Sequence, residues 1–569
     1  MRRLLVAIMA AVLACGYALT LGSAQTGSGS LPDRKTVAKQ ILESEAGGIM
    51  TTNAKMALEM LVRGDQQMTQ SFDAQAAGKN AAATKPAQGG DQPGAPAFTN
   101  VRVNNPGEDT HQPDQTTQSE TSIAAVGNKV AVGFNDSQTG LLVLTAGASL
   151  NGYAYSGDGG ATFTDGGSIP NHPGCVNLGD PWLTSDRAGS MYYGSLAQCI
   201  APSRIGLDIA VAKSTDGGRT WAPPVIVSSN LGADFGFYLG DKDAFTVGRD
   251  PSQASKDVVY GAWDDSVFDP LQGSTVNGLP VANSIDGGAT WTIVYADRIV
   301  PTPCPGVPGA FSFGQYIGAN PFVDASTGVL YVTAEKFFSP CPDPNAPPPG
   351  RGAAQQRSIV VFTSTDRGNT FGTGVTVAMV GQSAPPFGLF NLGEGKYMRN
   401  LEFPSPGIRE GKLYVAWNDG SAGDGRSHIR LGTSTDGVKW STKWVTSGGN
   451  DQMQPALSAD AAGVHILYYQ RNPENSLDVK VSNSSNGNNF SALRVTTLSF
   501  PGVLTLPQFD PILGSTYMGD YIANISAGGR ELFAWGDNRD MVRDFLFPAG
   551  RNDPDVFFAA QAGGDNEQG

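Results

Sequence analysis

Ser-Thr-Asp-Gly-Gly-Arg-Thr-Trp, residues 214–221, is the stretch on which the fold turns. It reads as a hairpin turn. The Asp216 carboxylate can accept hydrogen bonds from amides of its own turn. The two glycines permit positive φ at little steric cost. The Thr220 hydroxyl closes the turn, and Trp221 seals it onto the sheet below.

The same box recurs on both sides. It reads Ser-Gly-Asp-Gly-Gly-Ala-Thr-Phe at 156–163, Ser-Ile-Asp-Gly-Gly-Ala-Thr-Trp at 284–291 and Ser-Thr-Asp-Arg-Gly-Asn-Thr-Phe at 364–371. Shortened copies stand at 434–440 and 484–490. A residue needed in every repeat is needed for the fold of the repeat. Asp158, Asp216, Asp286, Asp366 and Asp436 are therefore read as turn-closing groups, not as catalytic or calcium-binding ones.

One strand before each box lies an apolar run that ends in polar residues. Such runs occupy 130–136, 191–195, 259–265, 330–335, 413–419 and 465–470, and one more, without a box, lies at 532–537. Seven runs against six boxes suggest a ring closed by a unit built from both chain ends. The strand at 98–103 is the expected partner of the strand around 555–558. The expectation is an all-β, seven-bladed β-propeller over residues 98–561, with six blades as the alternative.

The boxes resemble the Asp-box, or BNR, repeats of the sialidase (neuraminidase) superfamily, over roughly residues 98–560. The resemblance implies a propeller with a glycan site at its centre. Sialidases of this kind hold a carboxylate with three arginines and use a tyrosine nucleophile, a glutamate and an acid/base aspartate. The sequence departs from that pattern. The nearest match to the first arginine motif is Arg102-Val103-Asn104-Asn105-Pro106, and Glu120 stands on the first inner strand where an arginine belongs. Three arginines cannot be assigned residue by residue.

The first strand of each blade lines the central channel, and these strands begin with acids or amides. They offer Glu120, Asp180, Asp241-Lys242-Asp243, Asn320, Arg399 with Glu402, Gln452 and Gln454, and Asp520-Tyr521. Glycoside cleavage needs two carboxyl groups flanking the bond. The candidates are Glu120, Asp180, Asp241, Glu402 and Asp520. Lys242, Arg399 and Tyr521 are the expected substrate-binding groups. A ring of oxygen ligands also suits calcium; no other cofactor is indicated. The leading expectation is a glycan-recognising propeller that hydrolyses glycosidic bonds, and the rival is a non-catalytic binding or scaffold propeller.

Composition narrows the class. The chain of 569 residues carries a formal net charge of −14, only 16% charged residues and 73 glycines. Low charge with abundant glycine suits many short strands joined by tight turns. An acidic surface repels phosphate backbones, so nucleic acid is not an expected partner.

Arg2 and Arg3, the apolar run 4–21 and the small residues Gly22, Ser23 and Ala24 read as an export signal over residues 1–24. The rival readings are a membrane anchor and lipidation at Cys15. A secreted location, extracellular or periplasmic, follows, with no membrane span in the mature chain. Residues 25–97 read as a short helical segment with caps near Asp33 and Thr52, followed by a flexible Ala/Gly/Gln/Pro linker. Residues 562–569 read as a disordered tail. Cys175, Cys199, Cys304 and Cys341 remain, an even number that export allows to oxidise. Local pairs, Cys175–Cys199 and Cys304–Cys341, are favoured over a zinc site, because no Cys-x-x-Cys occurs. The histidines, at 111, 172, 428 and 465, form no metal or triad motif.

Overall fold

The computed structural model describes residues 98–109, 116–137, 149–200, 205–231, 237–269, 274–307, 310–342, 355–383, 389–393, 396–502, 518–543 and 548–562. The expected leader, helical segment and linker lie outside the described residues, as does most of the expected tail. Among the described residues the helical content is one 3-10 turn at Pro106–Glu108; the regular structure is otherwise strand.

The strands form successive four-stranded antiparallel meanders. They span 118–168, 182–226, 237–299, 311–379, 405–444 and 452–494, and a closing unit spans 523–562. Parallel pairing of Phe237–Leu239 with Ile205–Leu207 joins the second and third units. A hairpin of Leu389–Gly393 and Lys396–Arg399 precedes the fifth. Alternation along each strand turns one set of side chains toward the preceding unit and the other toward the following one. The core is thus a series of interfaces. Ile123, Val132 and Phe134 of the first unit pack with Leu532, Val556 and Phe558 of the closing unit. Met453, Tyr469 and Val479 of the sixth pack with Phe533, Trp535 and Phe557. This is a β-propeller.

The first described strand pairs with the last, as expected. Val101 pairs with Phe558 and Arg102 with Phe557. The Val103 amide donates to the Val556 carbonyl at 2.9 Å. The buried Asn104 side chain extends this pairing: Nδ2 donates to Asp555 Oδ1 at 2.8 Å, and Oδ1 accepts from the Val556 amide at 2.9 Å. Only two residues count as strand at this seam, so Asn104 supplies by side chain what the backbone ladder no longer does.

Each box closes its hairpin through its aspartate. Asp216 Oδ1 accepts from the Ser214 hydroxyl at 2.8 Å and from the Arg219 and Thr220 amides at 3.1 Å each. Its Oδ2 accepts from the Thr220 hydroxyl at 2.7 Å. Asp158, Asp286 and Asp366 repeat this set, and the shortened copy at Asp436 keeps the serine and amide donors. In the last copy Asn486 takes the same place. The boxes also hold neighbouring units together. A Cβ on Gly218 would stand 2.5 Å from the Ala131 Cβ of the unit before, and one on Gly160 would stand 2.2 Å from Phe558 of the closing unit. Only glycine allows that approach.

Two disulfides join Cys175 to Cys199 and Cys304 to Cys341. Among the described residues no helix is long and apolar enough to cross a membrane.

Candidate functional site

One backbone device recurs where the inner strands begin. The inner strands of the first, third and sixth units slip register between Ser119 and Ser122, Asp241 and Ala244, and Met453 and Ala456. Within these slips Glu120, Lys242 and Gln454 take φ of 52°, 43° and 51°. Asp180, just before the second inner strand, takes φ 54°. The fourth unit has the same slip, between Ile317 and Asn320, but fills it with Gly318 at φ 67°. Gly519, before the closing unit, takes φ 91°. A non-glycine residue held in this region costs roughly 1–3 kcal/mol. Four units carry that cost for a side chain where two use glycine.

Those side chains converge. Glu120 Oε2 accepts from Asn135 Nδ2 at 2.8 Å, and its Oε1 accepts from the Asp520 amide at 3.0 Å. Asn135 Oδ1 in turn accepts from the Asp180 amide at 2.9 Å. Gln454 Nε2 donates to the carbonyls of Arg399 and Gly519, at 2.8 and 2.7 Å. Arg399 Nη1 stands 3.3 Å from Asp520 Oδ2. The Lys242 ammonium lies over two aromatic faces, 3.9 Å from the Tyr521 centroid and 4.4 Å from that of Trp182. The Tyr521 hydroxyl donates to the Pro181 carbonyl at 3.1 Å.

The group is buried: Glu120 is 1% exposed, Asp180 0%, Lys242 3% and Asp520 1%. Burial raises the Glu120 pKa well above the usual carboxylate range; Asp180 and Asp520 raise it further, and Lys242 pulls it down. Burial likewise raises Asp243, which Lys242 opposes and Asp180 reinforces. Asp264 is raised by burial and then by Asp241. Burial and the carboxylates of Glu120, Asp180 and Asp243 push Tyr521 well above its ordinary value, so it stays a neutral phenol. The arrangement sets a carboxyl group of raised pKa among further carboxyl groups and beside the Lys242 amine.

A second cluster accounts for Glu402. Its Oε2 lies 2.7 Å from Arg357 Nη1, and its Oε1 accepts from the Ser383 amide and hydroxyl at 2.7 and 2.6 Å. Arg357 Nε stands 3.2 Å from Glu335 Oε1, and the guanidinium lies over Phe337. Burial pushes Glu335 up to about 8, against the pull of Arg357. Of the residues expected at the site, Glu120, Asp180, Lys242, Asp520, Tyr521 and Arg399 are linked by contacts. Asp241 adjoins them through Lys242, whose amide donates to its Oδ1 at 3.0 Å. Glu402 instead belongs with Arg357 and Glu335.

Asp264, Glu335 and Arg357 were not among the expected site residues. A signal for two of them was present, since Asp264 and Glu335 end the apolar second strands in acids.

Fold and site together define a β-propeller with a carboxylate-rich centre. No family model and no curated protein sequence matches the chain. Among solved structures it is similar to a phage phi92 endosialidase, at 9% identity and a TM-score of 0.40, covering 83% of this chain and 70% of that one. It is also similar to a Trypanosoma rangeli sialidase, at 12% identity and a TM-score of 0.38, over 79% of this chain and 71% of that one. An α-L-arabinofuranosidase from Fusarium graminearum matches at 12% identity and a TM-score of 0.37, over 68% of this chain and 93% of that one.

Proposed function

We propose that this protein is an exported, sialidase-like propeller of seven blades. It binds a neutral glycan at the channel end marked by Glu120, Asp180, Lys242, Asp520 and Tyr521, and it hydrolyses a glycosidic bond there. The observation that carries this reading is the left-handed backbone at Glu120, Asp180 and Lys242, next to positions where glycine serves the same turn. Strain of that kind persists where a side chain must be aimed. Glu120 is the proton donor, because burial and the neighbouring Asp180 and Asp520 raise its pKa well above the usual carboxylate range. Asp180 or Asp520 is the second carboxyl group that the reaction requires. Lys242 and Tyr521 orient sugar hydroxyls. A neutral substrate is favoured because Arg357 and Arg399 already face carboxylates of the protein. Export rests on the leader-like N-terminus and on the two disulfides.

The test is a screen of the purified protein against a panel of neutral and sialylated glycans, reading bound glycan and released sugar separately. Wild type is expected to release sugar from a neutral glycan. Glu120→Gln is expected to bind it and release sugar about 10²–10⁴-fold more slowly. Full activity in Glu120→Gln would remove Glu120 from the mechanism, and preference for a sialylated glycan would overturn the neutral-substrate reading.

A second reading rests on a different observation. The acids are covered, and Lys242 fills the space between Trp182 and Tyr521. That suits a propeller that binds through its face and does no chemistry. The same screen separates the two, since this protein would bind glycan without releasing sugar.

A further inference from the structure

The boxes clamp each unit to the one before it, and the closing unit has no box. Strand register identifies what such a box would have touched. A residue near the start of the second strand pairs with the first serine of the same unit's box: Met191 with Ser214, Leu330 with Ser364, Leu413 with Ser434. The next residue meets the box of the following unit. A Cβ on Gly288 would stand 3.3 Å from the Tyr192 ring, one on Gly437 3.2 Å from Tyr331, and one on Gly487 2.8 Å from Tyr414. In the sixth unit Val464 pairs with Ser484, so this position is His465.

What meets His465 is a pair of carboxylates. Its Nε2 stands 3.6 Å from Asp460 Oδ1 and 3.7 Å from Glu531 Oε1. One ligand atom from each residue lies within 4.8 Å of the others. His465 is 8% exposed, and its Nε2 has no hydrogen-bond partner. Its Nδ1 lies 2.7 Å from Asn483 Oδ1. The Asn483 amide is oriented by donation from Nδ2 to Gln561 Oε1 at 3.3 Å. Since Asn483 Oδ1 only accepts, Nδ1 is the ring donor to it, and Nε2 is the ring atom turned toward the carboxylates. Ser458 and Ser526 hydroxyls hold both Glu531 oxygens. Asp460 is fixed in its turn by the Ala462 and Gly463 amides, at 2.8 and 3.1 Å.

We propose that Asp460, His465 and Glu531 bind a zinc ion, which joins the sixth unit to the closing unit where a box is missing. A metal-ligating histidine commonly donates its other ring N–H to a carbonyl, as His465 does. Tetrahedral zinc with bonds of about 2.0–2.2 Å sets its ligand atoms roughly 3.3–3.6 Å apart. The two separations from Nε2, 3.6 and 3.7 Å, stand close to that range, and the two carboxylate oxygens lie within 4.8 Å of each other. Asp460 keeps 23% of its side chain exposed, which leaves a route for the ion and a place for water as fourth ligand. Calcium takes oxygen ligands, and an imidazole nitrogen selects against it.

The experiment uses chelator-treated full-length protein titrated with zinc by calorimetry and by thermal melting, and with cobalt by visible absorption. One zinc per chain is expected, with a rise of several degrees in Tm and a tetrahedral cobalt spectrum. His465→Gln should weaken zinc at least 100-fold and remove the Tm rise. Asn483→Ala, a positioning change, should weaken it about 10–100-fold. If wild type gives no cobalt band, the proposal fails whatever the variants do. It fails equally if His465→Gln binds zinc as wild type does, or if equimolar calcium displaces the zinc. A Tm loss in His465→Gln that zinc does not modulate would mean that His465 is only an ion-pair partner of the two acids.

Discussion

The amide of Asp520 donates to the carboxylate of Glu120 across 400 residues of sequence. This bond joins the closing unit to the first at the centre of the ring, while Asn104 and Asp555 join the same two chain ends farther out. The candidate site is therefore partly built by ring closure.

Loss of the seam should be felt at both places. Asn104→Ala leaves Asp555 Oδ1 and the Val556 amide without these partners in a buried setting. An orphaned buried group costs about 1–3 kcal/mol. The expected result is a clearly lowered Tm. Removing residues 1–96 should be tolerated, whereas removal through Asn104 should give aggregated protein in size-exclusion chromatography. A soluble, cooperatively melting product of the longer deletion would contradict the closure.

The boxes should be separable from the site. Asp216→Ala removes the acceptor of its turn. By comparison with helix caps this costs roughly 0.5–2 kcal/mol. The expected outcome is a lower melting temperature with glycan binding unchanged. Lost binding at an unchanged Tm would make Asp216 a ligand-contacting group.

The buried acids set a pH dependence. Glu335 is raised to about 8 in the folded protein, from an ordinary value near 4.5. Between those values the folded state holds a proton that the unfolded chain has released. Its contribution is fully present below about pH 4.5 and is lost as pH rises through about 8. Wild type should therefore melt at a higher temperature at pH 5 than at pH 8. Glu335→Gln should narrow that difference. An equal slope in the variant would assign the dependence to other groups, such as Asp265, which burial raises to about 7.

Peptide mapping without reductant should recover Cys175 with Cys199 and Cys304 with Cys341. The Cys175 loop spans 24 residues. Replacing both of its cysteines by serine should cost about 3 kcal/mol, the loop-closure contribution for that length. A change below 0.5 kcal/mol in denaturant melts would show that the sheet alone fixes this segment.

Much of the fold was legible because its signals are local. A box needs its serine, aspartate, glycines and threonine within eight residues, so the turn can be read without knowing what surrounds it. The closing strand was legible by counting. The site was harder, because its members come from separate units and sequence does not say which face one another. Glu402 shows why. It was grouped with Arg399 as an inner-strand residue, but the hairpin ending at Arg399 comes first and the strand begins only at Ser405. Glu402 then meets Arg357, a residue of a third strand with no motif around it. Asp264 and Glu335 were visible as strand-ending acids, but burial, which gives them their altered protonation, has no sequence signature.

The seam also fixes where mechanical load enters the molecule. Val101 and Arg102 form the outermost strand of the closing unit, so tension applied to the chain ahead of Phe98 enters at the outer edge of that sheet. Tension drawn through that segment falls first on buried Phe98, packed against Phe533, and on Asn100, bonded to Val495 and Thr497, and only then on the pairs Val101 with Phe558 and Arg102 with Phe557 and on Asn104. Once those contacts give, the short outer strand can peel away while the inner strand Ala523–Ala527, with Asp520 just ahead of it, stays paired at the opposite edge of the same sheet.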